Sequence, residues 1–148
     1  MALSQQEVGL KHGFRSGLEE KIAAVLRGRG VPFEFEAHKL AYQQPSKPRT
    51  YTPDFWLPHA QHVGKAPAPG LGIFVETKGR WLTEDRQKQK LVHEQHPDFD
   101  IRLLFSNAQT RISKQSTTTY ALYCERNGWK YAHKELPLSW LRELGYAV

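Results

Sequence analysis

Residues 72–79 read GIFVETKG. An apolar run, Ile73-Phe74-Val75, leads into Glu76, Thr77 and Lys78, and Gly79 closes the stretch. A short β-branched and aromatic run bounded by glycine has the composition of a buried strand. Side chains alternate between faces along a strand, so Glu76 and Lys78 stand on one face. A buried strand that ends in an acid and a base side by side demands a chemical reason.

Upstream, TYTPDFWLP (residues 50–58) reads as a second strand, with Pro53 implying an edge or a bulge next to Asp54. Between the two strands, HAQHVGKAPAPG (residues 59–70) reads as a flexible loop. QQPSKPR (residues 43–49) holds two prolines and no apolar residue, which predicts an extended connector. Before it, PFEFEAH alternates apolar and polar as a half-buried strand does. Leu18, Ile22, Val25 and Leu26 form one stripe of a helix from Ser16 to about Arg29, with Ser16 as N-cap and Gly28 and Gly30 as stops. Residues 1–13 are polar and predict a loose start.

Downstream, a helix is expected from Thr83, as its cap, to about His96, where Pro97 stops it. DIRLLFS predicts a strand, TTTYALYCERNG a helix ended by Gly128, and LSWLREL a short last helix. Helices and strands mix without repeats. The expected class is α/β or α+β, one domain over residues 1–148 around a small mixed sheet flanked by helices.

At 148 residues the chain is long enough for a real core. Its hydrophobic share of 39%, with 4 Trp, 6 Tyr and 7 Phe, excludes a disordered chain. The net charge of +6 fits a polyanionic partner. A lone Cys124 allows no intramolecular disulfide and fits a reducing, cytoplasmic setting. No apolar run approaches the ~20 residues that span a bilayer, so no membrane role is expected.

Asp54, Glu76 and Glu19 are the acids that stand out, with Lys78 as their base. If the two strands are neighbours, Asp54 and Glu76 converge at one sheet end. Gathered carboxylates repel, and a divalent cation would neutralise them. An oxygen-only set without thiolates favours Mg²⁺ or Mn²⁺. Such an ion acidifies water and clamps a phosphate oxygen, while Lys78 offsets transition-state charge. Plainer readings exist. Ser16-Gly17-Leu18-Glu19 fits a capping box, Asp54 after Pro53 fits a turn, and Glu-x-Lys occurs on many solvent faces. The combination P-D, spacer, E-x-K nevertheless matches the PD…(D/E)xK pattern of a metal-dependent nuclease superfamily.

Longer stretches carry a closer likeness: FRSGLEEK, YTPDF, GIFVETKG, EQHPDFDIR and YCERNG. Over about Phe14 to Trp140 the chain resembles the phage endonuclease I family of Holliday-junction resolvases. The resemblance implies a restriction-endonuclease-like fold in which Glu19, Asp54, Glu76 and Lys78 are catalytic. It implies up to two Mg²⁺ per site, with Mn²⁺ as substitute. One ion would sit on Asp54, Glu76 and the backbone carbonyl of Thr77, the other between Asp54 and Glu19. It further implies a phage protein acting in the host cytoplasm on branched DNA, leaving 5′-phosphate and 3′-hydroxyl ends. The family's dimer is intertwined. Here residues 16–43 would be the exchanged helix and strand, 43–49 the bridge and 50–148 the main body, so Glu19 would serve the partner's site. A plain loop is the alternative for the bridge.

The basic residues expected at DNA are Arg15, Arg80, Arg86, Lys88, Arg111 and Lys114, with Lys11 and Lys90 nearby. His93 and His96 share a helix and His59 and His62 share the loop, but no cysteine joins them at zinc spacing. Two departures from the family stand out. Residues 59–70 are longer than its short turn and are expected near the site, in reach of DNA. The chain also ends at LRELGYAV without a basic tail, which predicts lower non-specific affinity. Another nuclease of the superfamily, or a non-catalytic junction-binding protein, is the alternative.

Overall fold

The computed structural model describes residues 16–44 and 47–148. The loose start expected of residues 1–13, and the DNA contacts expected at Lys11 and Arg15, lie outside the described residues.

Helix α1 (Gly17–Gly28) begins where Ser16 Oγ accepts the Glu19 N–H at 3.2 Å. It ends at the expected glycines, with Gly30 at φ +67°. Its stripe of Ile22, Ala23 and Leu26 packs on Phe55, Leu57 and Val75. Strand β1 (Glu34–Phe35) is far shorter than the alternation of PFEFEAH suggests, because Glu36 turns out of the strand at φ +48°.

Of the expected connector 43–49, residues 45 and 46 lie outside the described residues, and the others belong to strands. β2 (Leu40–Gln44) and β3 (Lys47–Tyr51) pair antiparallel as a separate two-stranded sheet, in register Gln44 opposite Lys47. The hairpin forms because Leu40, Tyr42 and Tyr51 bury against Trp56 and Phe74, a driving force the polar middle of the segment conceals. TYTPDFWLP accordingly splits. β3 ends at Tyr51, Pro53 sits in the break, and β4 (Phe55–Pro58) follows, wholly buried. β4 is an inner strand with a partner on each side, so Pro53 marks an interruption and not an edge.

β5 (Gly72–Lys78) occupies the middle of a mixed five-stranded sheet in the order β1-β4-β5-β6-β7, where β6 is Asp100–Phe105 and β7 is Tyr131–His133. β1, β4 and β5 run antiparallel in turn, and β5, β6 and β7 run parallel. Between the parallel strands lie α2 (Thr83–Gln95) and α3 (Tyr120–Asn127), and α4 (Leu138–Glu143) follows β7. Leu82, not Thr83, is the N-cap of α2, and its N–H donates to Asp85 Oδ2. Gly128 ends α3 in the left-handed region.

The alternation along β5 sorts the layers. Ile73 and Val75 join Leu104, α1 and α4 on one face. Phe74 joins Trp56, Ile101, Val92 of α2 and the β2–β3 hairpin on the other. Beyond it, Trp81, Leu103 and Phe105 pack against α3. This mixed α+β architecture is the one the sequence leads to.

β4 runs away from Asp54 and β5 runs back toward Glu76, so residues 59–70 join the strands at the far end of the sheet. The expectation that this loop lies near the site is corrected by the strand directions. Nor is it featureless: it contains a 3-10 turn (Ala60–His62). The Ala60 N–H donates to Leu144 O, the His59 N–H to Leu71 O and the Tyr146 hydroxyl to Pro58 O, each at 2.7 Å. No helix among the described residues is long and apolar enough to cross a membrane.

Candidate active site

Phe55 pairs with Val75, which brings Asp54 opposite Glu76. The two strand ends are stitched together at that point. The Asp54 N–H donates to Glu76 Oε1 at 3.2 Å. Asp54 Oδ2 accepts the Thr77 N–H at 2.9 Å and the Thr77 hydroxyl at 2.8 Å. Charge-assisted bonds of this kind are roughly twice as strong as neutral ones, so Asp54 is held in one rotamer.

Two more acids reach this end of the sheet. Glu19 stands in the first turn of α1, just before the residues that anchor the helix to β4 and β5. Glu36 follows β1, and its N–H donates to the Asp54 carbonyl at 2.9 Å. Carboxylate oxygens of Glu19, Glu36 and Asp54 all lie within 4.8 Å of one another. Glu36 is a functional candidate that sequence reasoning missed. Its neighbour pattern is that of a solvent-facing strand residue, and only its left-handed backbone turns it to the site. Such a conformation costs a non-glycine residue about 1–3 kcal/mol and persists where the surroundings enforce it.

Glu76 stands beside this triad and not within it. Burial first, and Asp54 second, push its carboxyl well above the usual carboxylate range, while Lys78 pulls it down. Lys78 Nζ lies 3.9 Å from Glu76 Oε2 and 3.6 Å from Asp85 Oδ1. Asp85, in the first turn of α2, is a second tether on the lysine that the sequence did not disclose. Glu19, Asp54, Glu76 and Thr77 are all buried. With Lys39, Lys78, Lys88 and Tyr51 they line a cavity of about 640 Å³. A larger groove, about 870 Å³ between the hairpin and α2, contains none of these acids.

The donor set fits a hard divalent cation. It is made of carboxylate oxygens, clustered in a buried place where one acid is already driven toward its neutral form. Glu19, Glu36 and Asp54 are the residues that would hold it.

The expected DNA contacts divide. Arg80, Arg111 and Lys114 are exposed and share a groove of about 500 Å³ that begins at Gly79, directly after β5. Lys88 is exposed and lines the acidic cavity. Arg86 is a correction: it is buried, donating to Trp81 O at 2.6 Å and to Thr83 Oγ1 at 3.0 Å. It faces inward on α2 with Gln89 and Val92 at three-residue spacing. His93 stacks on Trp129 at 4.3 Å and His96 contacts Ala41 O, so each has a separate packing role.

Comparison with known proteins places the chain in a family. The model of the Phage endonuclease I family matches residues 1–148. Endonuclease I of Escherichia phage T7 is 45% identical over 130 residues, covering 88% of this chain and 79% of that protein. Endodeoxyribonuclease 1 of Enterobacteria phage T3 is 41% identical over 130 residues, covering 88% and 78%. With its acids and lysine gathered at one end of a mixed sheet, the chain belongs to the phage endonuclease I family.

Proposed function

We propose that this chain is a Mg²⁺-dependent DNA endonuclease that resolves four-way junctions by paired nicks, acting as an intertwined homodimer. The observation that carries the reading is the convergence of Glu19, Glu36, Asp54 and Glu76 with Lys78 at the ends of β4 and β5. It stands in a family whose relatives are named endonuclease and endodeoxyribonuclease.

In this reading Glu19, Glu36 and Asp54 would hold the metal, with Glu76 and the Thr77 carbonyl as further oxygens. The bound ion supplies Lewis acidity toward water and toward the charge that develops on phosphate. Thr77 keeps Asp54 in place through its two hydrogen bonds. Lys78, steadied by Glu76 and Asp85, sets a positive charge against a non-bridging phosphate oxygen. Arg80, Arg111, Lys114 and Lys88 bind the backbone on either side. Selectivity then comes from the path of the phosphates and not from base edges.

The dimer follows the pattern that the family resemblance implies: residues 16–43 would pass to a second copy, so that one chain's Glu19 would meet the other's Asp54 and Glu76.

Cleavage of a labelled four-way junction and of a linear duplex with the same arms tests the activity. Junction-selective cutting in Mg²⁺, lost in chelator and in Asp54→Ala while binding persists, is expected. Equal cutting of the duplex, or an active Asp54→Ala enzyme, would overturn it. The exchange is tested by a mixed dimer of Glu19→Ala and Asp54→Ala chains. A swapped dimer has one intact site and nicks one strand, whereas two cis sites would each carry a defect and neither would cut.

A further inference from the structure

Tyr51 closes β3 and forms part of the wall of the acidic cavity. It is only 2% exposed. Its ring packs with Trp56, Phe74 and Val92 on the sheet face that also carries Glu76 and Lys78. Its oxygen accepts a hydrogen bond of 3.1 Å from Gln89 Nε2. Gln89 is 1% exposed, and its own Oε1 has no partner among the described residues.

With the Gln89 amide donating through Nε2, the phenol oxygen is an acceptor and its own proton remains to be donated. Among the described residues no acceptor takes it. Burial first, then Glu76, raise the phenol well above its ordinary range, so it keeps that proton at neutral pH. Tyr51 lines the same cavity as Asp54, Glu76 and Lys78. What enters that cavity in a nuclease is a phosphate, whose non-bridging oxygens are strong acceptors.

We infer that Tyr51, pinned by Gln89, is a further catalytic residue whose hydroxyl donates a hydrogen bond to a non-bridging oxygen of the scissile phosphate. It shares the cavity with the carboxylates and complements Lys78: a neutral donor beside a charge that Glu76 and Asp85 tether. A buried donor held in place before the substrate arrives needs no reorganisation when charge develops, which is the condition under which such groups accelerate reactions. This inference rests on the proposed DNA cleavage.

The test is single-turnover cleavage of a junction by wild type and Tyr51→Phe, on an all-oxygen linkage and on the two phosphorothioate diastereomers at the cut. Tyr51→Phe is expected to slow cleavage about ten- to hundred-fold, the loss of one hydrogen bond to a charged group. Metal-free junction affinity should stay within about twofold, because the lost bond matters at the reacting phosphate. Sulfur accepts hydrogen bonds poorly. In wild type, one diastereomer should therefore be slowed in a way that replacing Mg²⁺ by Mn²⁺ does not relieve. In Tyr51→Phe that slowing should vanish, which a purely structural role for the hydroxyl would not produce. Full-rate cleavage by the variant, or an undiminished sulfur effect in it, overturns the inference. Thermal unfolding of the variant accompanies the assay. If it does not fold, the wild-type sulfur effects decide, and the absence of a manganese-insensitive one overturns the inference. Failure of wild type to cut any junction in Mg²⁺ would instead overturn the underlying reading.

Discussion

Replacing Glu36 by Gln removes one charge from three carboxylates whose oxygens lie within 4.8 Å of one another. The shape and the left-handed backbone are kept. At that distance an ionised pair repels by about 3.5 kcal/mol at an effective dielectric of 20 and by about 0.9 in bulk water. Glu36 is only partly buried, so its two repulsions, with Glu19 and Asp54, together amount to roughly 2–3 kcal/mol, near the bulk-water end. For a chain of this size about 3 °C accompanies each kcal/mol. In chelator, Glu36→Gln should therefore unfold about 6–9 °C higher than wild type. Adding Mg²⁺ should reverse the order. Ligand that binds only the folded state stabilises in proportion to the logarithm of its saturation. The variant, short of one ligand oxygen, should gain less than wild type. Differential scanning fluorimetry across a Mg²⁺ series measures both effects, and cleavage at limiting Mg²⁺ measures the functional one. A variant no more stable than wild type in chelator, with an undiminished response to Mg²⁺, would refute the grouping of Glu36 with the metal acids.

Four further outcomes follow from other parts of the fold. A Cβ on Gly72 would collide with the Leu57 carbonyl oxygen and meet Pro58 Cα at 2.8 Å, both backbone of β4. Gly72→Ala should therefore cost about 3 kcal/mol or more in urea unfolding, and a neutral result would refute that close approach. Burial lowers His93 from 6.5 to about 4, so the fold favours its neutral form. Its contribution, roughly 2–3 kcal/mol after discounting for partial exposure, is complete above pH 6.5 and lost as pH falls toward 4. His93→Phe should flatten unfolding stability across that window, and an unchanged slope would refute it. Cys124 is buried and its thiol is pushed up to about 12, so thiol reagents should label it only on unfolding, and labelling of the native protein would contradict this. Junction affinity should fall log-linearly with salt, with a slope reduced by about one per lysine or arginine removed at Arg80, Arg111 or Lys114, and a flat profile would remove them from the interface.

What was legible in the sequence was whatever periodicity and local chemistry determine. GIFVETKG places Glu76 and Lys78 on one face because strand alternation allows nothing else. Ser16 caps α1 because its side chain bonds three residues ahead. Glu36 was illegible because a positive φ reverses the direction that alternation assigns to it. The β2–β3 hairpin was hidden because its apolar anchors, Leu40, Tyr42 and Tyr51, flank a polar stretch. Arg86 was misread because its partners, Trp81 O and Thr83 Oγ1, convert a charged residue into a core one, and no local pattern records that. The placement of residues 59–70 depended on strand direction, a property of topology and not of the loop.

The inward stripe of α2 explains why so polar a helix is buried against the sheet. Asp85 steadies Lys78, Gln89 holds Tyr51, and the Gln95 side chain both accepts the Gln43 N–H at 2.6 Å and donates to the Gln43 carbonyl at 2.8 Å. Three groups on one helix thus hold the site lysine, the cavity tyrosine and the first strand of the hairpin. Each bond is worth about 0.5–1.5 kcal/mol net, too little to hold the hairpin shut on its own. Apolar contacts with Trp56, Phe74 and Val92 supply the rest. Because Val92 packs α2 on the sheet, whatever displaces the hairpin acts first on Gln43 and Tyr51. The hinge of the proposed exchange and the wall of the active site are therefore one structural unit, so opening of the arm and the geometry of the cavity cannot vary independently.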